Sequence, residues 1–177
     1  TDHIFVAGDV ARAPHVLYGY QYLALEHWDN AVSGAEVAAN NMLHLEVGRR
    51  PHLPLPSFWS GQFGVNIKSV GVCSFGDEIV FTQGSPEDRR FAAAYGKNGR
   101  IVGAVTFNHG KWLPYYAELI ERSAPFPPPP PGYDQPANAE VMPARFPDPR
   151  EPAGNPDVVL TGHDPTDRRA EFRPRSH

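Results

Sequence analysis

A chain of 177 residues with ordinary apolar content and a net charge of −4 is long enough to bury a core of its own and carries no basic excess to attract nucleic acid. Its single cysteine, Cys73, excludes an internal disulfide framework and fits a reducing compartment. No run approaches the ~20 apolar residues of a membrane span and no signal peptide is visible, so a cytoplasmic setting is expected.

Residues 1–48 read as a strand, a loop and a helix. The strand is Ile4–Ala7 in "HIFVAGDVAR", and it runs directly into Gly8-Asp9. A carboxylate at the carboxyl end of a parallel strand stands where α/β sheets bind ligands, and a glycine lets the backbone come close. The plainer alternative is that Asp9 caps the following turn. A helix is predicted from an N-cap at Asp29 through "NAVSGAEVAANNML" to about Leu45, with Gly48 just past its end. Ala31, Ala35, Ala38, Ala39 and Met42 share one face at helical spacing. A strand feeding such a helix is half of an α/β unit and forms no sheet alone.

Residues 49–122 have another rhythm. "RRPHLPLP" is a proline-broken connector. Four strands are predicted after it, in "VNIKSVGVCS", "EIVFTQG", "RRFAAAYG" and "RIVGAVTF", the last two joined by Lys97-Asn98-Gly99; Asn-Gly is the strongest short hairpin signal. Phe91, Ala93 and Tyr95 are expected on one face, with Ile101, Gly103, Val105 and Phe107 on the facing strand. Cys73, flanked by Val72, Ser74 and Phe75, reads as an inert strand residue. A final helix puts Trp112, Tyr116, Leu119 and Ile120 on one side. The class is α+β: an antiparallel sheet with a covering helix, preceded by the β-α remnant and followed by a tail.

That tail, residues 123–177, holds 14 of the 20 prolines, and its six Arg nearly balance eight Asp and Glu. It reads as polyproline II leading into an extended or disordered segment. The eight His show no metal-ligand spacing, and Ser60 has no nucleophile-elbow context, so neither a metal site nor a catalytic triad is expected.

Four blocks in order, "IFVAGDVA", "LEHWDNAVSGAEVAANNML", "FWSGQFGVNIKSVG" and "GRIVGAVTFN", resemble the C-terminal end of the FAD-dependent ferredoxin reductases, the branch of the pyridine nucleotide–disulfide reductase superfamily that serves oxygenases and cytochromes P450. The resemblance covers about residues 3–121. It implies that Gly8 and Asp9 hold the ribityl chain of FAD, that Glu26, His27, Trp28, Asp29 and Ala31 bring a helix start to the isoalloxazine, and that Trp59, beside Phe58, closes one side of the flavin pocket. Read from the residues alone, His27 is as well a packed or exposed histidine, and Phe58 and Trp59 are as well junction core on a loop. The chemistry implied is hydride transfer from NAD(P)H to FAD and single-electron delivery to a 2Fe–2S ferredoxin, with Arg49-Arg50 and Arg89-Arg90 either helping to dock that acidic partner or simply solvated. Two features depart from the family pattern. Gly61 stands where the signature has aspartate, and no G-x-G-x-x-G fingerprint is present. The chain is therefore expected to be a fragment, a truncation or one segment of a split enzyme, inactive without the N-terminal FAD- and nicotinamide-binding part. The alternative is a non-catalytic, reductase-derived interaction module with a proline-rich tail.

Overall fold

Residues 4–7, expected as a buried strand, pair with no other strand in the computed structural model, which describes residues 3–44, 46–130, 132, 137, 139–146, 157–161 and 169–173. A parallel strand is held by its neighbours on the ladder, and among the described residues none runs beside this one. Ile4 and Val6 are accordingly exposed. The chain turns through a short 3-10 segment, Gly8–Val10. It then forms a small antiparallel hairpin of β1 (Ala13–His15) and β2 (Gln21–Leu23), with Tyr18 buried between them in sequence.

Helix α1 spans Trp28–Leu43, two residues earlier than expected at its start, and Leu45 lies outside the described residues. Its N-cap is His27 rather than Asp29, and Asp29 sits in the first turn, where a carboxylate complements the helix dipole. Of the expected stripe, Ala31 and Ala38 are half-buried while Ala35, Ala39 and Met42 are exposed. The helix rests on residues 7–8 and 52: a Cβ built at Gly34 would lie 3.5 Å from the Ala7 Cβ, and Ser33 Oγ is 3.0 Å from His52 Nε2. No α1 residue is fully buried.

The sheet comprises β3 (Ser57–Gln62), β4 (Val65–Gly71), β5 (Glu78–Ser85), β6 (Arg90–Lys97), β7 (Arg100–Phe107) and, after helix α2 (Leu113–Glu121), β8 (Val141–Pro143). The spatial order is β3-β4-β7-β6-β5-β8, antiparallel throughout. The Asn98-Gly99 turn joins β6 and β7 with both residues at positive φ, 51° and 71°, the geometry that matches strand twist in a two-residue hairpin. Beneath α2 the sheet presents small side chains, Ala92, Ala94 and Ala104, which let Tyr116 and Ile120 settle close to it together with Val80 and Ile101. Ile101 joins this cluster because the β6–β7 register shifts between Tyr95 and Gly96, so the simple alternation expected along β7 breaks at that bulge. The buried Tyr116 hydroxyl is satisfied by Thr82 Oγ1, which itself donates to Ala92 O; burial pushes the Tyr116 hydroxyl up to about 12.

Three expectations are corrected here. Phe58 and Trp59 lie on strand β3, not on a loop. Cys73 lies in a 3-10 turn, Cys73–Phe75, that follows β4. The proline-rich segment is not free from residue 123 onward: Ile101 N–H donates to Ala124 O and Phe126 N–H to Gly99 O, Tyr115 OH donates to Pro129 O, and Gln83 Nε2 donates to Gly132 O. β8 then pairs with Glu78–Val80 of β5. The compact unit accordingly runs to Ala144, and residues 145–177 form a second unit containing an antiparallel pair, β9 (Asp157–Thr161) with β10 (Arg169–Arg173). Much of the rest of the expected tail lies outside the described residues. Among those described, no helix is long and apolar enough to cross a membrane.

Candidate functional site

The connector 49–56 brings the start of α1 next to the sheet edge. Ser57, the first residue of β3, donates from Oγ to Asp29 Oδ2 at 2.7 Å, tying the first turn of α1 to β3. The His27 ring lies 5.3 Å from the Phe58 ring, tilted at 45°. Between the two elements opens a cavity of about 440 Å³ lined by Glu26, His27, Trp28, Ser57, Phe58 and Trp59, within the roughly 300–1,000 Å³ range of small-molecule sites. A second cavity, about 480 Å³, shares Ser57, Phe58 and Trp59 and continues over β3 and β4 past Lys68 to Leu113.

Trp28 is 77 % exposed and Trp59 is 53 % exposed. Large aromatics left uncovered on two facing elements, around one cavity, form the walls of a slot for a flat apolar group. His27 lines the same cavity, and its Nδ1 is buried without a hydrogen-bond partner. At the helix start Ala31 N–H already donates to His27 O. The earlier first-turn N–H groups and the partial positive charge of the dipole remain for an electron-rich ligand edge.

The eight residues expected at the site fall into two groups. Glu26, His27, Trp28 and Trp59 line the cavity, and Asp29 stands behind it against Ser57. Gly8, Asp9 and Ala31 do not line it. Gly8 takes φ +73°, which favours glycine, and a Cβ there would lie 3.7 Å from the Ala31 Cβ, so the turn carrying Asp9 lies beside the first turns of α1. Asp9 itself is exposed, on a 3-10 turn instead of the end of a paired strand. Ser57 escaped the sequence reading; only the adjacent Phe-Trp pair pointed to its neighbourhood. Gly61 faces open space, with nothing within 4 Å of where a Cβ would be. The arginine pairs divide too: the Arg49 guanidinium lies 5.3 Å from the centroid of the Phe5 ring, whereas Arg50 and Arg89 are exposed. Among the described residues no cluster of three His, Cys, Asp or Glu could hold a metal ion.

Residues 57–131 match the model of a family described as reductase C-terminal. Among solved structures, Fdr9 is similar at 31 % identity and TM-score 0.58, over 67 % of this chain and 30 % of that one. The covalent putidaredoxin reductase–putidaredoxin complex gives 26 % identity and TM-score 0.57, over 67 % and 27 %. The ferredoxin reductase for the CYP199A2 system from Rhodopseudomonas palustris gives 25 % and 0.53, over 68 % and 30 %. The chain thus spans 27–30 % of the length of these relatives.

Proposed function

With residues 57–131 a reductase C-terminal domain related to those of ferredoxin reductases, we propose that this chain is the C-terminal part of a flavoprotein that passes electrons from NAD(P)H through FAD to a 2Fe–2S ferredoxin. The observation that carries the reading is the aromatic slot, in which Trp28 at the head of α1 and Trp59 on β3 border one cavity although 31 positions separate them in sequence.

The residues present fit an isoalloxazine ring. Trp28, Phe58 and Trp59 supply apolar walls that hold the ring and keep water from it. His27 lines the pocket beside the helix start. The N-terminus of α1 favours negative charge at the ring's edge. Asp9 accepts hydrogen bonds from ribityl hydroxyls, and Gly8 with the small Ala31 lets that arm pass close to the backbone. FAD, when bound, supplies the hydride and single-electron chemistry; the chain binds it, orients it and excludes solvent. The remaining FAD contacts and the nicotinamide site belong, in this reading, to an N-terminal part in the same or a separate chain, without which the chain has no reductase activity.

Joined to or co-expressed with that part, the purified protein is expected to be yellow and to bleach with NADH or NADPH. Asp9→Ala should then retain FAD about tenfold more weakly, the loss of a charge-assisted hydrogen bond, as measured by flavin released on dialysis. A colourless protein, or unchanged FAD retention in the variant, would overturn the assignment and favour an interaction module.

A further inference from the structure

At the turn end of the β6–β7 hairpin a cavity of about 360 Å³ opens between Lys97, Arg100 and Ser123 on one side and Leu17, Tyr18 and Phe75 on the other. Its lining contains two cations, a hydroxyl, aromatic and aliphatic walls, and no carboxylate.

The two cations are placed at a cost. Lys97 and Arg100 are directly opposed in the β6–β7 register, where like charges repel across the pair. Among the described residues neither forms an ion pair. Lys97 is not left to swing into water: its Nζ lies 4.7 Å from the centroid of the Phe75 ring, an attraction that keeps the ammonium over the cavity. The turn that opposes the two charges is itself fixed, because Phe126 N–H holds Gly99 O and Ile101 N–H holds Ala124 O. The opposite wall is equally spent. The Tyr18 hydroxyl donates to Val102 O at 3.1 Å and accepts from Val72 N–H at 3.0 Å, which leaves its ring as the surface offered to a ligand.

We propose that this cavity binds a small organic acid, its phosphate or carboxylate group held between Lys97 and Arg100 and its apolar part lying against Leu17 and Phe75. An oxyanion between the opposed cations converts their repulsion into two charge-assisted contacts, with the guanidinium free to bind it by two parallel hydrogen bonds. The apolar wall discriminates against a bare inorganic ion.

Phenyl phosphate and benzoate are the probes, titrated into the ¹⁵N-labelled chain at constant ionic strength. Saturable shifts are expected at Phe75, Lys97 and Arg100, and the tighter of the two probes identifies the acid group. Lys97→Met, which keeps the stem on Phe75, and Arg100→Gln should each weaken binding about tenfold, while Lys97→Arg retains it. Phenol should give no saturable response. The proposal is overturned if neither acid saturates, if the Lys97→Met/Arg100→Gln double variant with an otherwise superimposable spectrum binds as well as the parent, or if phenol binds equally.

Discussion

Ser33 Oγ stands 2.8 Å from Asp29 O and 3.0 Å from His52 Nε2, so one hydroxyl joins the first turns of α1 to the connector. Nearby, His15 accepts from Leu17 N–H at Nδ1 and stands 3.2 Å from Pro54 O at Nε2. Burial, and secondarily the neighbouring His15, hold His52 below its ordinary value. Between the lowered folded value and the unfolded value near 6.5, the unfolded chain binds the extra proton, so stability is present above that range and is lost as pH falls through it. Denaturation midpoints are expected to drop as pH falls below about 6.5, and His52→Gln should flatten the dependence. An equally steep profile in the variant would place the titrating group elsewhere. None of this was legible in the sequence, where His52 stood in a proline connector with nothing to mark its partner 19 residues earlier.

Elements held by local pattern were readable, and those held by distant partners were not. The Asn98-Gly99 hairpin, strands β4 to β7 and helix α2 carry their own signals in turn chemistry and periodicity. β3 does not. Phe58 and Trp59 are neighbours, both exposed, and Gly61 interrupts the run, so no alternation announces a strand; it exists because β4 pairs along all six of its residues. The same logic hid β8, three residues ending in a proline, made a strand only by the edge of β5. Conversely, Ile4–Ala7 has the composition of a strand and, among the described residues, lacks the neighbour. The candidate site shows the same division: aromatics and helix start were legible, while the Ser57–Asp29 bond that sets their spacing was not. For β8 a direct test follows. A chain ending at residue 131 exposes the edge of β5, and an uncovered strand edge invites pairing with another copy. It should unfold at lower denaturant and self-associate in sedimentation, whereas a chain ending at Ala144 should match the parent. If both truncations behave alike, β8 contributes nothing to the sheet.

Across the first compact unit, residues 1–144, Tyr18 fastens the N-terminal hairpin to the sheet. Its ring meets Phe75 edge-on at 5.3 Å, and its hydroxyl spans Val102 O and Val72 N–H. Those two backbone groups also bond each other at 3.0 Å, so Tyr18→Phe removes a bond without orphaning the amide. The expected cost is about 1 kcal/mol, appearing as faster amide exchange in residues 13–23 with the β6–β7 core unchanged; uniform loss of protection would mean that the hairpin and the sheet open as one. Cys73 lies against the same corner. Burial pushes its thiol up to about 12, and the backbone of Cys73 would touch any Cβ placed on Gly103. At neutral pH it stays a thiol, slow toward alkylating reagents. A cysteine introduced at Gly61, where space is open, would be the exposed and faster-reacting sulfur, and a fluorophore there would report on the aromatic slot.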